Sequence, residues 1–455
     1  MSRRDWRGEQ DDPLDPGEQV SLAPGATDDT WTLVAAGDTA YRNRESADDP
    51  IGPALTSRFQ RAAVTVANLE APVTSDADPI TKSGPSLDAD TELPTVLESS
   101  GVDVATLANN HLMDYGADGL DATLAACDDV GLPTCGAGQN EDEAMAPARF
   151  EVDGTSVAVF SFCEKEFGIA EADEPGVAWV SDPGAIRRVA TCDADVVVVA
   201  AHGGVEYAPL SPPHRQKLFR EFAEAGADLV VGHHPHVAQG WELYDDTPIF
   251  YSLGNFLFPR QSGRPKTQWA YVVELEFDGA TPVGFEVVPT EVQDETVEEM
   301  AELDGARNDP KDRLAYLQRL SEITSDTDQV QAHWQEIAVA VFRQRYATWL
   351  RRSLAGDLVS QLKNPSQHFE ADYLWDADDR ESQRLALLNL IRNESHNALM
   401  QTALEVETGK RDDLRTPRVK RETRRLLEET EDRPLYDRQS PVGEVLSALG
   451  DKMSS

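Results

Sequence analysis

The sequence predicts an α/β fold over residues 31–290 and an α-helical region over residues 294–455. Short apolar runs alternate along the first segment with amphipathic stretches such as Leu120–Val130 and His214–Ala225, a pattern typical of buried strands connected by helices. Trp269–Phe277 and Gly284–Pro289 predict a closing antiparallel pair of strands. The other predicted strands are Thr32–Ala36, Ala63–Ala67, Val102–Leu107, Ser156–Phe160, Val196–Ala200, Asp228–Val231 and Pro248–Ser252.

The segments that flank this α/β region have different compositions. Residues 1–30 are polar and rich in Asp, Gly and Pro, which predicts a disordered acidic tail. Apolar residues recur at helical spacing over Val330–Leu362, and Arg384–Leu404 has the pattern of a second amphipathic helix. Lys410–Arg425 carries eight basic and three acidic residues, and we interpret it as an Arg-rich segment that pairs with the acidic surface of the protein.

The chain is strongly acidic, with 41 basic residues, 82 acidic residues and a formal net charge of −41. Two interpretations compete: a folded surface suited to concentrated salt, where the Debye length falls to about 3 Å at 1 M, or a disordered acidic protein. Because many apolar segments are periodic, the sequence favours a folded protein of a halophilic cytosol. Such a charge argues against nucleic acid and against anionic membranes as partners.

The cysteine pattern and the hydropathy of the sequence predict the cellular compartment of the protein. Four cysteines are scattered without a close-spaced pair, which predicts buried thiols in a reduced compartment. No stretch of about 18 apolar residues is present, so the sequence predicts no transmembrane segment. Residues 1–30 lack the apolar core of a secretory signal. These features together predict a cytoplasmic protein.

Polar side chains follow six of the predicted strands, at the point where each strand ends. Because a sheet holds such loops rigidly, we expect these side chains to form a site. A single histidine is more often a satisfied core or surface residue, but so many strand ends carrying ligand-type side chains argue against a purely structural protein. The strand ends carry Gly37-Asp38, Asn68–Glu70, Asn109–His111, His202–Tyr207, Gly232–His236 and Leu253–Phe256.

The residue types indicate a metal site. Carboxylate, amide oxygen and imidazole together suit Mn, Fe or Zn, and the set is large enough for one or two divalent ions. The absence of a cysteine cluster argues against structural zinc. Asn110 and His111 are adjacent and point in different directions, so one side chain could bind metal while the other acts as a general acid.

The motifs at these strand ends resemble the CapA, or PGA-cap, family of capsular poly-γ-glutamate synthesis, within the calcineurin-like metallophosphoesterases. The resemblance covers about residues 31–289 and does not extend to the helical region. It is carried by Gly37-Asp38 with Arg42, Asn68-Leu69-Glu70, Asn109-Asn110-His111-x-x-Asp114-Tyr115-Gly116, His202-x-Gly204-x-Glu206-Tyr207, Gly232-His233-His234-Pro235-His236-Val237-x-Gln239 and Tyr251-Ser252-Leu253-Gly254-Asn255-Phe256-x-Phe258.

This resemblance implies a four-layer αββα sandwich with the site at the carboxyl ends of the strands. It implies that Asp38 and His236 bind a first metal ion and that Glu70 bridges two ions. His111 is implied as the proton donor, and His233 is not counted as a ligand. The remaining implied roles are second-metal ligation by Asn110, His202 and His234, and substrate binding by Arg42 and Glu206.

One residue departs from the phosphoesterase pattern, and it keeps two functions open. The pattern begins Asp-x-His, but Ala40 stands at the position of that histidine. The first hypothesis is a metal-dependent hydrolase that acts on a phosphoester, or on the amide of an anionic glutamyl polymer. The alternative is a non-catalytic metal-binding factor for polymer handling or assembly, with the helical region as a docking surface.

Overall fold

The structure is a computed structural model that describes residues 3–5, 14–22, 30–42, 49–74, 78–259, 264–293, 295–300, 309–355 and 380–431. It confirms the predicted α/β class, and each predicted buried run contains or overlaps a strand. The strands are β1 Arg3–Asp5, β2 Gln19–Ser21, β3 Trp31–Thr39, β4 Val64–Leu69, β5 Val104–Thr106, β6 Thr134–Cys135, β7 Ala137–Gly138, β8 Ala148–Val152, β9 Thr155–Cys163, β10 Gly176–Val177, β11 Val196–His202, β12 Leu229–His233, β13 Trp241–Tyr244, β14 Thr247–Phe250, β15 Asn255–Leu257, β16 Trp269–Asp278, β17 Thr281–Gln293 and β18 Thr296–Glu299.

Helices connect the strands and then make up most of the described residues after Asp309. A 3₁₀ turn covers Pro265–Thr267, and a π-helical turn at Phe342–Tyr346 joins α8 to α9. The α-helices are α1 Pro53–Arg61, α2 Leu93–Ser99, α3 Gly116–Asp129, α4 Glu141–Ala144, α5 Pro183–Ala190, α6 Pro213–Glu224, α7 Pro310–Thr324, α8 Thr327–Val341, α9 Ala347–Ala355, α10 Glu381–Arg392, α11 Glu394–Glu407 and α12 Pro417–Thr430.

Two large mixed sheets form the centre of the molecule. The first has the order β1-β2-β17-β16-β3-β4-β5-β6, with β15 on β3 and β18 on β17. The second has the order β13-β14-β12-β11-β9-β8. In both sheets the central strands are parallel, so their carboxyl ends lie at the same edge. The predicted antiparallel pair near residue 280 is β16 with β17.

The sheets pack face to face, and helices cover their outer faces. In β11, Val196, Val198 and Ala200 belong to the core between the sheets, whereas Val197 and Val199 face the helices. A strand buried on both faces requires an unbroken apolar run, and that is what the sequence contains here. Helices α1–α3 cover the first sheet and α5–α6 cover the second, which gives four layers in the order αββα.

While Leu314 and Leu317 of α7 belong to the core between the sheets, helices α7–α12 contribute to a further apolar cluster that also includes residues of the α/β layers. Trp334, Ile337 and Leu399 lie at its centre, and Val205 and Leu210, from the loop after β11, pack against them. The helical region is therefore attached to the end of the sandwich at which the strands terminate. Among the described residues, no helix combines the length and the apolar character needed to cross a bilayer.

Two sequence-based boundaries need correction. The tail predicted as disordered over residues 1–30 contains β2, which pairs antiparallel with β17 and buries Val20. The region predicted as helical from residue 294 begins with a strand, because Thr296–Glu299 pairs with the end of β17 and buries Val297, and its first described helix begins at Pro310. Both segments are short and polar apart from one inward valine, so their periodicity is too weak to identify a strand.

The remaining C-terminal predictions hold in part. The helix predicted over residues 330–362 corresponds to α8, the π-helical turn and α9, while residues 356–362 lie outside the described residues. The helix predicted over residues 384–404 is two helices, α10 and α11, separated at Asn393. In the basic segment, Arg415 pairs with Glu336 and Glu407, in agreement with its interpretation as an ion-paired segment. Three of the four cysteines are buried, as predicted.

Candidate metal centre

The carboxyl ends of both sheets meet at one place and bring the predicted ligands together. Asp38 lies near the end of β3, Glu70 follows β4, and Asn110 follows β5. His202 is the last residue of β11, and His234 follows β12. All of these side chains are buried, as is that of His236. The first sheet therefore supplies oxygen ligands and the second supplies imidazoles.

Glu70 is shared by two groups of potential metal ligands. One group is Asp38, Glu70 and His236, and the other is Glu70, His202 and His234; within each group the ligand atoms lie within 4.8 Å of one another. Glu70 Oε1 lies 3.7 Å from His236 Nε2 and 3.9 Å from His202 Nε2. Both carboxylate oxygens of Glu70 are buried without a hydrogen-bond partner among the described residues. A buried anion in this position requires a cation.

The second group extends to Asn110. Its Oδ1 lies 3.0 Å from His202 Nε2, and His234 Nδ1 lies 3.2 Å from the same nitrogen. Burial and the neighbouring imidazoles lower the pKa of both His202 and His234 well below the ordinary value. Both rings are therefore neutral at pH 7, which is the protonation state that binds metal ions.

Asp38 is oriented by hydrogen bonds from both sheets. Asn68 Nδ2 donates to Asp38 Oδ1 at 2.8 Å, His233 Nδ1 lies 3.0 Å from the same oxygen, and the backbone N–H of His234 donates to Oδ2 at 3.1 Å. Burial acts to raise the pKa of Asp38, but the interactions with His233 and His236 outweigh it and hold the pKa below the ordinary value. Asp38 is therefore an anion.

Glu70 differs electrostatically from Asp38. Burial, followed by the charges of Asp38 and Glu206, raises the pKa of Glu70 well above the ordinary value. No neighbouring donor among the described residues compensates for this carboxylate, whereas Asp38 has three. A divalent ion between the two groups would reverse the balance, because a nearby cation favours the ionised form.

His111 lies at the edge of the site in a dyad with Asp114. His111 Nδ1 is 2.7 Å from Asp114 Oδ2, and Lys82 Nζ contacts the other oxygen of Asp114 and lies 3.3 Å from His111 Nδ1. Burial and the charge of Lys82 lower the pKa of His111, while Asp114 opposes them. Asp114 therefore engages His111 Nδ1, and His111 Nε2 is the ring nitrogen that remains available to a ligand.

A cavity of about 500 Å³ opens over this edge of the centre. Asn110, His111 and His234 form its floor, and Glu166 and Glu206 lie on its sides. Burial raises the pKa of Glu166 to about 7, and the charge of Glu206 adds to this effect. Such a volume is typical of small-ligand sites.

The two predicted substrate-binding residues lie in different surroundings. Glu206 lines the cavity, and its carboxylate lies 3.8 Å from Arg345 Nη1. Arg42 does not line the cavity; its guanidinium is paired with Asp88 and lies 3.9 Å from Asp90. Asp88 and Asp90 lie close to Arg42 in the fold, but no sequence motif marks them as its partners.

Several supporting residues were not assigned roles from the sequence. Asn68 contacts both Asp38 and His202, and Asn255 Oδ1 lies 2.9 Å from His236 Nδ1. Both belong to the quoted motifs, so their motif positions could have indicated a role. His233, which was not counted as a ligand, instead contacts Asp38.

The backbone at the centre is unusual. His234 and His236 have φ angles of 94° and 59°, in the left-handed region that non-glycine residues rarely adopt. Tyr207, which packs near His236, has a φ of 61°. Such conformations are unfavourable by about 1–3 kcal/mol each and persist where the surrounding structure imposes them, often at functional sites. Here the ligand atoms of both imidazoles of the His-Pro-His segment lie near Glu70.

The donor set fits one or two divalent ions. The oxygen and nitrogen ligands suit Mn, Fe or Zn, and the uncompensated carboxylate of Glu70 marks the position between the two groups. Asp38, Glu70 and His236 would hold one ion. Glu70, Asn110, His202 and His234 would hold the other. Ala40 supplies no ligand, and its side chain is buried.

Sequence comparisons give relatives among capsule proteins. The chain is 34% identical over 217 residues to "Capsule biosynthesis protein CapA" of Bacillus anthracis, covering 46% of this chain and 52% of that protein. It is 34% identical over 216 residues to "PGA biosynthesis protein CapA" of Bacillus subtilis (strain 168), covering 46% of this chain and 56% of that protein. The chain thus matches little more than half the length of these relatives.

A solved structure and a family model also match this chain. A hypothetical protein from Thermus thermophilus is similar over 58% of this chain and 100% of its own, with a TM-score of 0.37 and 19% identity. That likeness is too weak to support a functional argument. Residues 32–260, which contain all the predicted ligands, match the family described as "Bacterial capsule synthesis protein PGA_cap". The chain belongs to this family of bacterial capsule synthesis proteins.

Proposed function

We propose that this chain is a metal-dependent hydrolase of the phosphoesterase type that serves the synthesis of a capsular polymer. The observation that carries the proposal is the shared, buried carboxylate of Glu70 between two groups of ligands. Ions held there would supply Lewis-acid activation of a substrate oxygen and of water. The names of the two Bacillus relatives refer to capsule and PGA biosynthesis, which supports an anionic polymer or its phosphoester precursor as substrate.

The residues around the ligands fit acid–base chemistry. His111 lines the cavity, and its Nε2 would donate a proton to the leaving group, while Asp114 holds Nδ1 and fixes the ring orientation. Lys82 neutralises Asp114 and keeps the dyad from adding negative charge near a substrate anion.

The first test is the metal content of the full chain purified in concentrated salt with Mn²⁺. We expect bound metal in the parent and loss of metal in His234→Ala and in His236→Ala. His333→Ala is the matched control, because His333 is also buried but bonds to Thr423 in the helical region. Turnover of p-nitrophenyl phosphate or bis-p-nitrophenyl phosphate by the parent only would support the hydrolase. A parent without metal would refute the proposal.

The arrangement around Asp38 supports a second candidate, a non-catalytic metal-binding factor for polymer handling or assembly. Asp38 Oδ1 already accepts from Asn68 and contacts His233, and Ala40 contributes no ligand on this side. An ion in the first group would therefore compete with existing hydrogen bonds. Metal in the parent, without turnover of either phosphoester or of γ-glutamyl peptides, would favour this candidate.

A further inference from the structure

The cavity over the candidate metal centre has a far wall that lies outside the matched family segment. Three helices, which we call the wall helices, form it: α9, α10 and α11. Trp349 and Ser353 come from α9, Gln383 and Asn389 from α10, and His396 from α11. The α/β layers provide the floor, and the helical region provides the surface opposite it.

Specific hydrogen bonds join the wall helices to the α/β layers. Asn393 ends α10 and caps α11, and its side chain accepts from the backbone N–H of His396 at 2.9 Å. This turn directs Glu394 and Ser395 towards the loop after β9. Glu394 accepts from Trp179 Nε1 at 2.7 Å and from the backbone N–H of Lys165 at 2.9 Å.

Two further contacts join the helical region to the α/β layers. Ser395 Oγ donates to Glu164 Oε1 at 2.7 Å, and Arg345 Nη2 donates to the backbone carbonyl of Glu206 at 2.8 Å. Arg345 lies in the π-helical turn between α8 and α9, a type of irregularity that is frequent at functional sites. The wall is therefore anchored by buried or half-buried hydrogen bonds.

Two wall side chains carry buried polar atoms without partners. Asn389 Oδ1 and His396 Nδ1 have no hydrogen-bond partner among the described residues, and both residues line the cavity. Asn389 is 8% exposed and His396 is 9% exposed. Burial lowers the pKa of His396 to about 4, so its ring is neutral at pH 7. Buried polar groups usually have partners, so unpartnered ones on residues that line a cavity indicate a ligand.

The charges around the cavity restrict the chemistry of that ligand. Among its described lining residues, Lys82 carries the one full positive charge, and it is paired with Asp114. Glu166 and Glu206 lie between the floor and the wall. An anionic group at the wall would be repelled by these carboxylates, and no free cation among those lining residues would offset the repulsion. A neutral hydroxyl or amide would not be repelled, and it could bond to an amide or a neutral imidazole.

We propose that the wall helices select the ligand of the metal centre, and that Asn389 and His396 are its specificity-determining residues. The ligand class is an oxyanion that reaches the floor, joined to a neutral hydroxyl- or amide-bearing group that contacts the wall. This inference rests on the proposed metal centre, because the metal ions would bind the oxyanion. It assigns to the helical region a part of the site rather than a separate docking function.

The test compares three probes on the Mn²⁺-loaded full chain by calorimetry. Inorganic phosphate reaches the floor only, glycerol 1-phosphate adds neutral hydroxyls, and 3-phosphoglycerate adds a carboxylate. We expect glycerol 1-phosphate to bind more tightly than 3-phosphoglycerate. In the double variant Asn389→Leu/His396→Phe, its affinity should fall about tenfold, the loss expected for two neutral hydrogen bonds. Phosphate affinity and Mn²⁺ content should stay within about twofold of the parent.

The matched control is Asn397→Leu, which changes an exposed polar residue of α11 outside the cavity and should leave all three affinities unchanged. Normal binding of metal and phosphate with unchanged probe preference in the double variant would overturn the inference and leave the metal centre intact. Equal affinity of the parent for the two extended probes would also overturn it. Absence of metal from the parent would refute the metal centre and this inference together.

Discussion

Replacing Glu70 by Gln is expected to stabilise the metal-free protein and to abolish its stabilisation by divalent ions. Glu70 is fully buried, and its oxygens have no hydrogen-bond partner among the described residues. Burial and the charges of Asp38 and Glu206 raise its pKa well above the ordinary value. A neutral amide of nearly the same shape needs no proton uptake on folding, and it would be a weaker ligand for divalent ions than a carboxylate.

The magnitude follows from proton linkage. Because the folded-state pKa of Glu70 is raised, the folded protein retains a proton that the unfolded chain releases above pH 4.5, and stability falls as the pH rises towards the folded-state value. The interval from 4.5 to 7, at about 1.36 kcal/mol per pH unit, gives at most about 3.4 kcal/mol at pH 7. At pH 5 the same calculation gives about 0.7 kcal/mol.

Metal binding is expected to reverse the order of stability. Ions at one hundred times their dissociation constant would stabilise the parent by about 2.7 kcal/mol per site, and the variant would not gain this. The assay is urea unfolding followed by circular dichroism in concentrated salt, with EDTA or Mn²⁺, at pH 7 and pH 5. In EDTA at pH 7 we expect Glu70→Gln to be more stable than the parent.

Glu242→Gln is the matched control. Glu242 is also buried, but Arg220 donates to its oxygens at 2.8 and 2.7 Å, so loss of its charge should destabilise the protein by about 2 kcal/mol with or without metal. The reasoning is refuted if Glu70→Gln is less stable than the parent in EDTA at pH 7. It is also refuted if the variant keeps the full stabilisation by Mn²⁺.

Three further changes test other parts of the structure. Asp114→Asn should keep the metal content but lower turnover about 10²-fold. It should also move the basic limb of the pH–rate profile to lower pH, because Asp114 raises the pKa of His111. An unchanged profile would contradict the role of the His111–Asp114 dyad in proton donation. Arg58→Ala should lower the free energy of unfolding by about 3 kcal/mol in urea titrations, because three glutamates lose their shared cation; an effect below about 0.5 kcal/mol would contradict this. Gly37→Ala should reduce both stability and Mn²⁺ content, since its Cβ would lie 2.0 Å from the carbonyl oxygen of Gly254; normal values of both would show that the turn relaxes freely.

Most of the α/β layers could be predicted because their sequence signal is local. A parallel strand buried on both faces must be apolar at every position, as Val196–Ala201 is, and such a run is hard to mistake. The strands at Gln19–Ser21 and Thr296–Glu299 were missed, because each is short and buries a single valine. The break at Asn393 was missed for a related reason, since the apolar spacing continues across it.

The sequence by itself determined the class of fold and the residues of the candidate site. Carboxyl ends of parallel strands meet at the edge of a sheet, so ligand-type residues placed after successive strands must come together. The sharing of Glu70, the support of His111 by Asp114 and Lys82, and the pairing of Arg42 away from the cavity were decided only by the tertiary structure. So was the position of Asn389 and His396 opposite the candidate metal centre. Helical periodicity shows that a helix has a buried face, but which part of the fold that face meets depends on packing between segments that are far apart in the chain.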